Sequence, residues 1–209
     1  MILNELTLAS GEWVLLALLC VVLVVDLFVD DKNRIITYWL TLTTLAITAL
    51  SVVTNAPDSA SLIFSGSYVS DELSVLLKTV SIISTAVIVF YSKEYLINNK
   101  LLKGEFFILV LFGLLGVMIM ISANSLLVMY LGLETLALSL YALVALDRNS
   151  SIAAESAMKY FILGAIASGS LLYGISWVYG VTGALEFNEI ALAIENNSEL
   201  NALPLWFGM

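Results

Sequence analysis

Histidine is absent from the 209 residues and cysteine occurs once, as Cys20 in an apolar run. No intramolecular disulfide can form from a single thiol. Haem with histidine ligands, Rieske clusters, histidine-based zinc sites and a Ser-His-Asp triad cannot be built from these residues. A Cys₄ iron–sulfur cluster is excluded in the same way. Charge is scarce too, at 12% of residues, where soluble domains carry about 25%. The first residues carry Glu5 and Glu12 and no lysine or arginine. A secretory signal begins with a basic region, so the first apolar run is read as a retained helix.

What fills the sequence instead is hydrocarbon. Hydrophobic residues make up 61% and the mean hydropathy is +1.02. The expected class is an all-α, polytopic transmembrane helix bundle forming a single membrane domain over residues 1–209. Six apolar segments lie near the ~20 residues needed to cross a bilayer. They are placed at 13–29, 35–53, 73–90, 106–121, 125–146 and 157–179, with a seventh beginning at 203–207. The division between the fourth and fifth rests on Ser122, Ala123 and Asn124. Residues 54–72 read as an irregular loop, and 185–200 as a short amphipathic helix on the surface. The abrupt stop inside the seventh segment is expected of a truncated unit.

Basic residues set the expected topology. Lys32 and Arg34 follow the first segment, Lys93, Lys100 and Lys103 the third, and Arg148 the fifth. The intervening loops have none, which is the alternation the positive-inside rule produces. The N-terminus is therefore expected outside. With a net charge of −9, the chain has no electrostatic footprint for nucleic acid. Its expected surroundings are the lipid bilayer and other helices.

Four charged residues fall inside the segments: Asp26, Lys78, Glu134 and Lys159. Glu134 is ten residues into a segment of twenty-two. Inserting such a carboxylate costs about 2.5–3.5 kcal/mol, and residues of this kind mark proton relays. The plain alternative is interhelical glue. Helical spacing puts Tyr130 and Tyr141 on its face, where they can hydrogen-bond to it or order water. Lys159 lies near the basic end of the sixth segment and either acts there or snorkels to the interface. By helix rise, Glu134 and Lys159 are separate stations rather than one salt bridge. Lys78 has Asp71 two turns before it, so charge compensation by Asp71 stands beside a functional role. Asp26 reads as interfacial. The recurrent small residues Gly113, Gly116, Gly132, Gly164, Ala167, Ser168 and Gly174 read as helix packing.

The run NSLLVMYLGLETLALSLYALVALDR, followed by AAESAMKYFILGAIASGSLLYGISWVYGVTG, resembles the antiporter-like membrane subunits of respiratory complex I. Within that family it is most similar to subunit N of the bacterial NADH–quinone oxidoreductase, over residues 104–183. The resemblance implies a proton-translocating subunit of a multi-subunit enzyme, driven by quinone reduction elsewhere in the complex. It implies Glu134 and Lys159 as proton-transfer residues, beside which helical spacing and charge position leave Lys78, Asp71, Tyr130 and Tyr141 as further candidates. It also implies that NAD, FMN, iron–sulfur clusters and quinone sit on other subunits, with no cofactor or metal held here, and that the partners are the other membrane subunits. The family's central lysines on the seventh and eighth helices, and its charged residue on the twelfth, have no counterpart, so half a unit is not expected to pump alone. Rival readings are a subunit of a multi-subunit Na⁺/H⁺ antiporter or membrane-bound hydrogenase, and a non-pumping assembly or scaffold protein.

Overall fold

The computed structural model describes residues 2–30, 34–57, 59–99, 101–196 and 208. A short helix α1 (Ile2–Leu8) leads into α2 (Ser10–Phe28), and α3 (Ile35–Thr54) returns antiparallel to it. A hairpin of β1 (Ser61–Ile63) and β2 (Tyr68–Ser70) precedes α4 (Glu72–Asn98). Then come α5 (Gly104–Ile121), α6 (Leu126–Val144), α7 (Ser151–Thr182) and a surface helix α8 (Phe187–Asn196). Six of these, α2 to α7, are long and apolar enough to cross a membrane. The chain is a multi-pass membrane protein.

The core lies among α2 to α5, with Leu15, Leu19, Tyr38, Leu45, Ile82, Phe107, Leu111 and Met118 buried. One face of α3 is a stripe of buried threonines, Thr37, Thr41, Thr44 and Thr48. Thr41, Thr44 and Thr48 each donate to a carbonyl one turn back, at 2.8–2.9 Å. Their hydroxyls are thereby satisfied within the helix, and the short side chains let neighbouring helices approach. Leucines such as Leu27 and Leu163 remain 75% and 68% exposed, as a hydrocarbon-facing surface requires.

The two ends of the bundle differ. At one, Arg34 pairs with Asp26 at 2.7 Å, Arg148 with Glu105 at 2.7 Å, and Lys103 donates to the Leu146 carbonyl at 3.1 Å. These groups line a recess of about 460 Å³. At the other, the β-hairpin acts as a cap. Val69 N donates to Ser122 O at 2.8 Å, and Asn124 N to Ser67 O at 3.0 Å, tying the hairpin to the turn between α5 and α6. Leu126 N donates to Leu185 O at 2.9 Å, which adds the turn after α7 to the same end.

The irregular loop expected over 54–72 is corrected by this hairpin, registered Ser61 to Ser70 and Ile63 to Tyr68. Its reversal uses residues in the left-handed region, Phe64, Ser65 and Gly66, with φ of 52°, 56° and 92°. The third and sixth spans run further than hydropathy indicates, to Asn98 and from Ser151. Polar residues end a hydrophobic run without ending a helix. The surface helix is present over its described residues. Residues 197–200 of that expectation, and the seventh segment at 203–207, lie outside the described residues.

Candidate proton-transfer site

α6 starts cleanly because Ser125 caps it, its hydroxyl accepting from Leu127 N at 3.3 Å. Its glycine face lies on α5. A methyl at Gly132 would stand 2.8 Å from the Gly116 carbonyl, and one at Gly116 would stand 2.6 Å from the Gly132 carbonyl. At 100° per residue, Glu134 is turned about 200° from Gly132, away from α5 and toward α7.

On α7 it meets Ser168, whose hydroxyl donates to Glu134 Oε1. Tyr130 OH lies 3.0 Å from Ser168 Oγ. A serine hydroxyl has one proton, and Ser168 gives it to Glu134, so Tyr130 is the donor in the second bond. Tyr130, Ser168 and Glu134 thus form a directed chain of exchangeable protons across two spans, and each of the three is half-buried. Ser168 had read only as a packing residue. Its spacing of four from Gly164 hides the hydroxyl in a small-residue stripe.

Tyr141 does not join this chain by a direct hydrogen bond among those the structure gives. Its hydroxyl lies against Gly164 of α7, where a side chain would collide with it. Its ring meets Tyr160 edge-on at 4.9 Å and Phe161 at 5.6 Å. Lys159 is a separate station, as helix rise indicates. Its ammonium pairs with Glu155 one turn earlier at 2.6 Å, with side chains 71% and 66% exposed. Nine residues of α7, about 14 Å of rise, separate Lys159 from Ser168.

The expected compensation of Lys78 by Asp71 is corrected. Asp71 caps α4, accepting from Ser74 N at 2.7 Å while Ser74 Oγ accepts from Asp71 N at 3.0 Å. A carboxylate engaged in a capping box at the first turn does not reach two turns along the helix. Lys78 is 4% exposed and pairs with Glu12 of α2 at 2.7 Å. It also donates to Tyr68 OH at 2.7 Å and lies 5.0 Å from the centre of that ring. Burial pushes the Tyr68 phenol well above its ordinary range, and the nearby Glu12 carboxylate pushes in the same direction. Asp26, read as interfacial, does lie at the basic end, but as the 10% exposed acceptor of Arg34 and of Thr37 Oγ1 at 2.8 Å.

Residues 123–209 match the family model described as NADH:quinone oxidoreductase/Mrp antiporter, TM. The stretch includes both Glu134 and Lys159. Over that stretch the chain is similar to the antiporter-like family. It is 48% identical over 201 residues to NADH-quinone oxidoreductase subunit N of Thiobacillus denitrificans, covering 96% of this chain and 41% of the relative. Against subunit N of Nitrosomonas europaea the identity is 47% over 195 residues, covering 93% and 40%. The chain spans about two fifths of the length of these curated relatives and is similar to them in their N-terminal part. Among solved structures, respiratory complex I from Thermus thermophilus contains a chain that superposes with a TM-score of 0.69 at 26% identity, over 95% of this chain and 42% of that one. An archaeal membrane-bound sulfane sulfur reductase gives 0.68 at 24% identity, over 99% and 42%, which shows the shared fold.

Proposed function

We propose that this chain supplies a proton-carrying segment of a proton-translocating NADH:quinone oxidoreductase, in the manner of subunit N. The observation that carries the reading is the directed chain from Tyr130 through Ser168 to Glu134, set in the middle of two membrane spans. Glu134 takes up a proton and gives it up again. Ser168 steers it, since its hydroxyl can donate to the carboxylate and accept from Tyr130, and by rotating can reverse the direction. Neutral hydroxyls carry a proton without placing a further charge in hydrocarbon. Lys159, paired to Glu155 nearer the basic end, sets the field that Glu134 feels when the pair opens or closes. NAD, FMN, iron–sulfur clusters and quinone would be held by other subunits and supply the redox drive. This chain holds and moves protons.

The remaining assignments follow from the same reading. The chain lies in a bacterial inner membrane with its N-terminus outside and its basic end in the cytoplasm. Its partners are the other membrane subunits of the complex. The family description also covers Mrp antiporters, so a subunit of a multi-subunit Na⁺/H⁺ antiporter is the second reading.

Extraction of the tagged chain in mild detergent, followed by a native gel stained for NADH oxidation, tests the assignment. A large staining band containing this chain is the expected result. A large band without NADH oxidation, with activity that requires Na⁺, supports the antiporter reading instead.

A further inference from the structure

Glu12, Tyr68 and Lys78 come from α2, β2 and α4, far apart in sequence, and meet beneath the hairpin cap. Their residues are 9%, 7% and 4% exposed. Glu12 Oε1 lies 2.7 Å from Lys78 Nζ, and Oε2 is buried with no hydrogen-bond partner among the described residues. We propose that these three residues form a second proton-holding site at the hairpin end of the chain, distinct from Glu134. The proposal rests on the proton-translocation reading above and extends it.

Stability does not account for the cluster. A buried ion pair gives back in attraction about what its desolvation takes, and apolar residues of the same volume hold helices together as well or better. Ionisable groups inside membrane spans are kept for transport. The chemistry here is simple. A proton from water at the hairpin end binds the open Oε2 of Glu12, giving a neutral carboxylic acid. The pair with Lys78 opens, and the charge of the site goes from zero to +1. Lys78 keeps its bond to Tyr68 OH while the pair is open, so its ammonium is never left bare. Loss of the same proton closes the pair again. No other bond forms or breaks.

The site is also placed to feel Glu134. Val69, next to Tyr68, donates to the Ser122 carbonyl at the end of α5, and Tyr68 bridges Ala123. Ser125 caps α6 two residues further on. From that cap to Glu134 is nine residues, about 14 Å of helix rise. The hairpin thus ties the site to the helix that carries Glu134, and charges in a low-dielectric interior interact more strongly than in water.

The test is the double variant E12Q/K78M in the assembled complex, beside the reversed pair E12K/K78E and E134Q. Assembly is read on native gels, NADH oxidation and proton uptake in inverted vesicles, and the carboxyl infrared band by difference spectroscopy. The proposal expects normal assembly of E12Q/K78M, proton uptake reduced by roughly tenfold, and loss of one carboxyl band. Full proton uptake by the double variant overturns it. So does a double variant that fails to assemble while the reversed pair assembles and pumps normally, because the pair is then structural. Full uptake by E134Q contradicts the underlying reading instead, which keeps the two failures distinct.

Discussion

Ser168 donates its only hydroxyl proton to Glu134 across the interface of α6 and α7, thirty-four residues away in sequence. That bond gives the mid-membrane carboxylate a fixed partner and gives Tyr130 a route to it.

Removing the hydroxyl therefore slows proton transfer without disturbing the fold. A hydrogen bond of this kind contributes ~1 kcal/mol, or about fivefold in rate. Ser168→Ala is expected to assemble normally and lose proton uptake on that scale, while Ser168→Thr retains most of it. Paired measurements of uptake and NADH oxidation in inverted vesicles read the difference, and an unchanged rate in Ser168→Ala removes Ser168 from the path.

The glycine contact between α5 and α6 makes a prediction about stability. A methyl at Gly132 would meet Gly116 backbone at 2.8 Å and Met120 Cγ at 2.7 Å. Backbone cannot yield as a side-chain tip can, so Gly132→Ala is expected to cost ~1–3 kcal/mol. Thermal unfolding in detergent measures it.

Lys78 and Glu12 differ from an exposed pair because neither can turn to water. Lys78→Met leaves a carboxylate buried without its cation, and the expected loss is ~3–5 kcal/mol. Adding Glu12→Gln should recover most of it. A double-mutant cycle on unfolding temperatures checks the coupling.

Lys159 is the opposite case. Its pair with Glu155 is mostly exposed, and such pairs contribute little to stability. Lys159→Ala is expected to assemble as well as the unmodified chain, with proton uptake reduced severalfold and Lys159→Arg near normal. Loss of assembly in Lys159→Ala would make the lysine a packing residue.

The sequence makes the spans legible because runs of apolar residues about twenty long have few alternatives in a membrane. It also exposes Glu134, whose carboxylate stands alone in its run. Three things were hidden for physical reasons. The hairpin over 61–70 has strands of three residues and serine-rich composition, too short for alternation to declare itself. The partner of Lys78 lies on another helix sixty-six residues earlier, where periodicity along one helix carries no information. Asp71, taken as that partner, belongs to a Asp-x-x-Ser capping box over residues 71–74, a local signal that two-turn spacing obscured. Ser168 was visible as a small residue but not as a donor, since a helix interface uses serine for both purposes.

The most direct measurement is proton uptake by inverted vesicles containing the complex with Glu134→Gln, recorded together with NADH oxidation. Glutamine keeps the shape and can still accept from Ser168, but it cannot take up and release a proton. The account predicts a complex that assembles normally and takes up roughly tenfold fewer protons or less. Proton uptake at the full rate in an assembled Glu134→Gln complex would contradict it.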